Sequence, residues 1–333
     1  MLIQKPISMG LFLTYKCNAE CQHCMYACGS SWEADWIKLS VAERIFSAVA
    51  DSIQGLPGNR IGINYGLHFT GGEPFLNFDL LLELTRMAKR FNIPSLFVET
   101  NCFWCKDEET TEKKLLELKK AGLDGILISV NPFILETIPF ERTDNCYRAS
   151  GQVFGENVIL YQHYFYQIFK SMGIKSTMPA QRFFERVPES LYYIELLPMG
   201  RVVYKLKHLF RKYKAEYFFG HNCKDELFRN WHIHFDNYGN YIPGYCGGLS
   251  LGNINNVDLL FTEFDMNEFP IVSALFTDLK NLYELGNTFS YRDENEGYIS
   301  GCHLCIEIRR HIVSKTDKFK ELKPCEFYKS VGK

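Results

Sequence analysis

Over residues 8–205, short apolar runs of β-type residues alternate with amphipathic helical stretches, and this alternation constrains the fold most. Strands are predicted at Gly10–Thr14, Gly66–Thr70, Ser95–Thr100, Gly125–Val130, Ile174–Thr177 and Tyr192–Leu197. Between them, Ser40–Ile53 opens on Ser40-Val41-Ala42-Glu43, where the serine caps the helix and the glutamate reaches back to it. Asn77–Phe91 carries Leu80, Leu81, Leu84 and Met87 on one helical face. Asp107–Ala121 and Glu156–Met172 end at Gly122 and Gly173, glycines suited to a C-terminal cap. Strand–helix repetition predicts right-handed crossovers and a parallel sheet, open or curled into a barrel. Six such units fit this stretch. From Phe210 onward the alternation stops and aromatic, glycine-rich pieces with cysteines follow. A boundary is therefore expected near Lys205–Tyr213, dividing the chain into residues 1–205 and 206–333.

Composition removes several function classes. The 37 Lys and Arg nearly balance 39 Asp and Glu, which gives no support to nucleic acid as a partner. Hydrophobic residues make up 46% of the chain, too many for disorder. No apolar run approaches the roughly 18 residues of a membrane span, so no membrane association is expected. The N-terminus lacks an apolar signal core with a small-residue cleavage site, and a cytoplasmic protein is expected.

The 12 cysteines are clustered, which in a cytosolic chain points to metal binding more than to disulfides. Cys17-x3-Cys21-x2-Cys24 directly follows the first predicted strand. Three thiolates on one short loop can hold three corners of a cubane iron–sulfur cluster and leave one iron open. A closed zinc site asks for a fourth protein ligand. Cys28 is a possible fourth, and a zinc knuckle or a set of bystander thiols is the plainer alternative. Thr70-Gly71-Gly72-Glu73-Pro74 ends the second strand. Its glycines permit close backbone approach, and Glu73 can accept a charge-assisted hydrogen bond from an ammonium group.

The triple cysteine, with His23 in an aromatic position, and the Gly-Gly-Glu-Pro segment together resemble the signature of the radical S-adenosylmethionine (radical SAM) enzymes. The resemblance implies a partial (β/α)6 TIM-like barrel and a 4Fe–4S cluster on Cys17, Cys21 and Cys24. S-adenosylmethionine would be held on the open iron and cleaved by one electron to a 5′-deoxyadenosyl radical, which takes a hydrogen atom from a substrate. An electron donor such as flavodoxin or ferredoxin is implied. By the same resemblance Gly71, Gly72, Glu73, Pro74, Asn101 and Ser129 would bind the cofactor. Arg201, in Pro198-Met199-Gly200-Arg201, would reach the cofactor carboxylate.

The C-terminal cysteines resemble the SPASM or shorter twitch extension of that family. Cys223, Cys246, Cys302 and Cys305, with Leu251-Gly252-Asn253-Ile254 among them, would hold one auxiliary 4Fe–4S cluster in a small irregular cysteine-rich domain. A zinc site on the same four ligands is the alternative that spacing leaves open. Asn237-Tyr238-Gly239-Asn240 is a hairpin signal that would bring residues 231–236 against 241–246. Cys28 and Cys146 are read as free, and the histidines at 221, 232 and 234 as packing groups. Cys325, Cys102 and Cys105 are the thiols available to quench a substrate radical.

Phe103-Trp104 and the late Cys-x2-Cys pair resemble small radical SAM enzymes that epimerise peptide residues. They point to a peptide or protein substrate, modified by epimerisation or crosslinking. The same chemistry on a small metabolite is the alternative. A non-catalytic zinc or iron–sulfur module needs both cofactor motifs to be accidental.

Overall fold

The computed structural model describes residues 2–33, 35–256, 260–261 and 264–333. Seven strands form one sheet in the order β5-β4-β3-β2-β1-β6-β7. They are β1 (Ser8–Thr14), β2 (Gly66–Gly71), β3 (Phe97–Thr100), β4 (Gly125–Ser129), β5 (Val158–Tyr161), β6 (Ile233–Phe235) and β7 (Tyr241–Ile242). All neighbouring pairs are parallel except β6–β7. Every residue of β1 is buried, as expected for a parallel strand covered on both faces.

Helices α1 (Leu39–Val49), α2 (Phe78–Arg90) and α3 (Glu108–Ala121) make the first crossovers. Asn77 caps α2 by accepting from the Leu80 N–H, and Asp107 caps α3 through Thr110 N. Gly122 closes α3 at φ 112°, as its sequence position suggested. The capping box at Ser40 does not form: α1 starts at Leu39, after Lys38, without a side-chain cap.

One inner face of the sheet lines a cavity. Thr70, Glu99, Leu127, Tyr161 and His234, from five different strands, all line it. The sheet is therefore curled into the expected partial barrel. Its strands differ in two places from the sequence reading. Ile174–Thr177 and Tyr192–Leu197 are not strands; Tyr192 and Tyr193 are exposed beside a 3₁₀ turn. The stretch predicted as one helix over Glu156–Met172 instead holds β5 and then a helix over His163–Ser171. The sixth parallel strand comes from the C-terminal part, where β6 pairs with β1. The hairpin signal at Asn237–Asn240 does what its residues dictate. Gly239 takes φ 81°, and Asp236 Oδ1 accepts from the backbone N–H groups of Tyr238 and Asn240.

Most of the apolar core is continuous from β1 to the C-terminal helices. A second cluster, built on Phe133, Phe165, Phe169 and Phe183, closes the β4–β5 side. Among the described residues no helix is long and apolar enough to cross a membrane.

Candidate active site

The first three cysteines leave the end of β1 as a loop, and the β2 end is built around that loop. Gly72 N–H donates to the Thr14 carbonyl (2.7 Å) and Glu73 N–H to that of Lys16 (2.9 Å). A Cβ on Gly72 would lie 1.8 Å from the Lys16 carbonyl oxygen, and one on Gly71 2.5 Å from that of Thr14. Only glycine allows the two strand ends to come this close. Arg201 ties the far side of the loop. Its guanidinium donates to the carbonyls of Cys28 (2.8 Å) and Ala27 (3.0 Å), and Arg201 N–H donates to that of Cys24 (3.0 Å).

Cys17, Cys21 and Cys24 line a cavity of about 150 Å³ together with Gly71, Gly72, Glu73, Asn101 and Ser129. This recess shares residues with a larger one of about 320 Å³ that occupies the barrel. Glu73 is buried and its carboxylate is engaged with this chain. It accepts from Asn101 N–H (2.8 Å), Thr100 Oγ1 (2.9 Å) and Phe75 N–H (3.2 Å). Burial nevertheless pushes its carboxyl up to about 7. Pro74 starts the 3₁₀ turn that Glu73 caps. The Asn101 amide donates to Asn18 Oδ1 (3.0 Å) and approaches Cys17 Sγ at 3.7 Å. Asn131 donates to His23 Nε2 (3.0 Å), and His23 stacks on Phe133.

The donor set suits a positively charged inorganic centre. Burial pushes the Cys17 thiol up to about 12 and Cys21 well above its ordinary value, with the neighbouring thiols adding to both. Cys24 is drawn down to about 6, chiefly by a hydrogen bond from Cys28. A metal centre takes all three as thiolates, which offsets the cost that burial places on ionising them.

The second set is assembled from three elements. Cys223 precedes a short helix, Cys246 follows the β6–β7 hairpin, and Cys302 and Cys305 sit in the first two turns of the helix Gly301–Lys315. Burial is the main influence on Cys223, but the charges of Cys305, Cys246 and Cys302 also act on it, so the four face one another. Arg309 lies one turn beyond Cys305 on the same helix, buried, and donates to the Gly247 carbonyl (3.1 Å) and to Tyr328 Oη (3.0 Å). The sequence reading missed this guanidinium, although a single arginine at i+4 from a cysteine was its visible trace. Among the described residues, three other groups have ligand atoms all within 4.8 Å of one another.

The remaining thiols lie elsewhere. Cys102 and Cys105 are fully buried and converge with Cys146. Cys325 donates to the Leu322 carbonyl (3.3 Å). None of the three candidates for quenching a radical is among the described residues that line either recess. Trp104 stacks on Phe75 at 4.0 Å and donates to Thr100, so it packs behind the site.

Residues 11–133 match the model of the Radical SAM superfamily. GTP 3′,8-cyclase of Paenarthrobacter nicotinovorans is 31% identical over 134 residues, 40% of this chain and 34% of that protein. The chain thus spans about a third of the length of that curated relative. Among solved structures, BtrN in complex with AdoMet and 2-DOIA aligns over 82% of this chain and 87% of its own, at 13% identity and TM-score 0.45. Native anSMEcpe with bound AdoMet and Cp18Cys peptide aligns over 93% and 98%, at 13% identity and TM-score 0.42.

Proposed function

We propose, from the radical SAM domain that residues 11–133 form, that the whole chain is an enzyme that modifies a peptide or protein residue by hydrogen-atom abstraction. One observation carries the reading: three cysteines on one loop and the Gly71–Glu73 segment of the next strand end face the same recess, which continues into the barrel. The cluster and S-adenosylmethionine, when bound, supply a 5′-deoxyadenosyl radical.

Each part of the chain has a task in this proposal. Cys17, Cys21 and Cys24 hold the first cluster. Gly71, Gly72, Glu73 and Pro74 form the ledge for the cofactor's amino end, with Asn101 and Ser129 beside it. Arg201 positions the cysteine loop through its carbonyls, in place of the cofactor contact that its sequence context suggested. Residues 206–333 supply the auxiliary part of SPASM or twitch type, with the second cluster on Cys223, Cys246, Cys302 and Cys305, while their strand β6 belongs to the barrel sheet. Arg309 balances part of that cluster's negative charge.

The rim favours a peptide. Ile63 lines the barrel cavity and is 41% exposed, and Tyr192 and Tyr193 stand in solvent just before Glu195, which also lines it. Exposed apolar and aromatic side chains at and beside the mouth suit a chain that extends beyond the cavity. The cavity volume of about 320 Å³ favours the second reading, a small metabolite held entirely inside. The test is to incubate the reconstituted, reduced enzyme with peptides from neighbouring reading frames and with small-metabolite pools. Substrate-dependent 5′-deoxyadenosine and a mass or stereochemical change in a peptide support the first reading. The same product formed only with a metabolite replaces it with the second.

A further inference from the structure

Three histidines meet on the floor of the barrel cavity. The strand register explains why. Gly10 on β1 pairs with His68 on β2 and with His234 on β6, so the two imidazoles flank a position that has no side chain. A Cβ on Gly10 would lie 2.4 Å from His234 Cδ2 and 2.6 Å from His68 Nε2. Both rings therefore lean into the space that glycine leaves. His232 is two residues before His234 and faces the same side. Its ring stacks on that of His68 with 5° between the planes. One nitrogen of each histidine lies within 4.8 Å of the other two, and all three side chains are buried.

Hydrogen bonds set two of the three rings. His234 Nδ1 lies 3.2 Å from the Gly244 carbonyl and 3.1 Å from Tyr26 Oη, so its hydrogen bonds are made through Nδ1 and leave Nε2 without a partner. His232 Nδ1 is bonded to Ser8 Oγ at 3.0 Å, which leaves its Nε2 free. A ring nitrogen bonded outward to carbonyl or hydroxyl, with the other free inward, is how a ligating histidine is held. His68 Nδ1 is buried with no partner, and Glu99 Oε1 lies 3.4 Å from its Nε2. Burial keeps all three imidazoles in the neutral form that coordinates metals.

We propose that His68, His232 and His234 hold a divalent transition-metal ion that prefers nitrogen ligands, such as zinc or ferrous iron. Three protein ligands leave a coordination position open, the pattern of ions that take part in chemistry. That position faces the cavity and takes an oxygen or nitrogen donor of the molecule bound there. Only this last step rests on reading the cavity as the substrate's; the ion site does not.

The test is metal binding, independent of turnover. The cluster-loaded protein is given one equivalent of zinc, dialysed anaerobically, and examined by zinc K-edge X-ray absorption and metal analysis. The expected result is about one zinc per chain with a nitrogen or oxygen shell at about 2.0–2.1 Å. His232→Gln/His234→Gln is expected to retain at least tenfold less zinc while keeping its iron and sulfide. A sulfur shell at about 2.3 Å would place the zinc on thiolates and overturn the proposal. So would a wild-type protein that keeps no zinc, or a double variant that keeps it fully. If the double variant fails to load its clusters, the ligand shell of the wild-type zinc decides alone.

Discussion

At the scale of single residues, the site depends on contacts that few side chains can make. Gly72 is the tightest, because any Cβ there would collide with the Lys16 carbonyl, which belongs to the backbone and cannot swing away. Gly72→Ala should push the β2 end off the cysteine loop. The expected outcome is a folded protein whose iron falls by about half, the share of one of two four-iron clusters. Unchanged iron would mean the strand ends move apart more easily than their hydrogen bonds suggest. Glu73 makes a separate prediction. Glu73→Ala removes a charge-assisted acceptor, a loss of about 1.5–3 kcal/mol, so S-adenosylmethionine should bind at least tenfold more weakly by equilibrium dialysis. Affinity within twofold of wild type would remove Glu73 from the cofactor site.

At the scale of elements, the C-terminal part is held by polar pins as well as by its core. Glu321 is buried. Its carboxylate accepts from Ile271 N–H (2.8 Å) at the start of the helix Pro270–Thr277, and its carbonyl accepts from Ser250 N–H (2.8 Å). Burial raises its carboxyl above the ordinary glutamate range. The folded state therefore binds more protons than the unfolded state between the two values. The contribution of Glu321 to stability is full below the unfolded value and is lost as pH rises through the folded one. Glu321→Gln keeps the acceptor for Ile271 and does not titrate. Relative to wild type, its urea midpoint should therefore improve between pH 5 and pH 8. A constant difference would show that Glu321 does not titrate in that range.

This scale also shows what the sequence made legible. β1 to β4 could be read because each is a short apolar run ending in the polar residues that line the recess. β5 was hidden because Val158–Tyr161 is only four residues long and half-buried, and it runs into a helix with the same apolar spacing. Tyr192–Leu197 imitated a strand because exposed tyrosines count as β-formers wherever they sit. The hairpin at Asn237–Asn240 was legible from its turn residues alone. That its first strand would complete the parallel sheet was not, since pairing with β1 joins residues 224 positions apart. The three-histidine floor was missed for the same reason: only the register of three strands brings His68 to His232 and His234.

At the scale of the whole molecule, one barrel interior serves two regions of sequence. Cysteines from the β1 end, glycines from the β2 end and histidines from β2 and β6 surround connected recesses. A second cysteine set lies on the C-terminal side of the same fold. If both sets hold clusters, the anaerobically reconstituted chain should bind about eight irons and eight sulfides. Cys17/Cys21/Cys24→Ala and Cys223/Cys246/Cys302/Cys305→Ala should each keep about half. Stoichiometric zinc without sulfide in the second set would make it a zinc site. The central claim is that the loop set and the Gly71–Glu73 ledge form one radical-generating site. The most direct measurement is 5′-deoxyadenosine formed from S-adenosylmethionine by the dithionite-reduced, reconstituted protein. The account predicts its formation by the wild type and by the C-terminal quadruple variant, at least slowly, and none from Cys24→Ala. A fully loaded wild-type protein that yields no 5′-deoxyadenosine, or Cys24→Ala that yields as much as wild type, would contradict it.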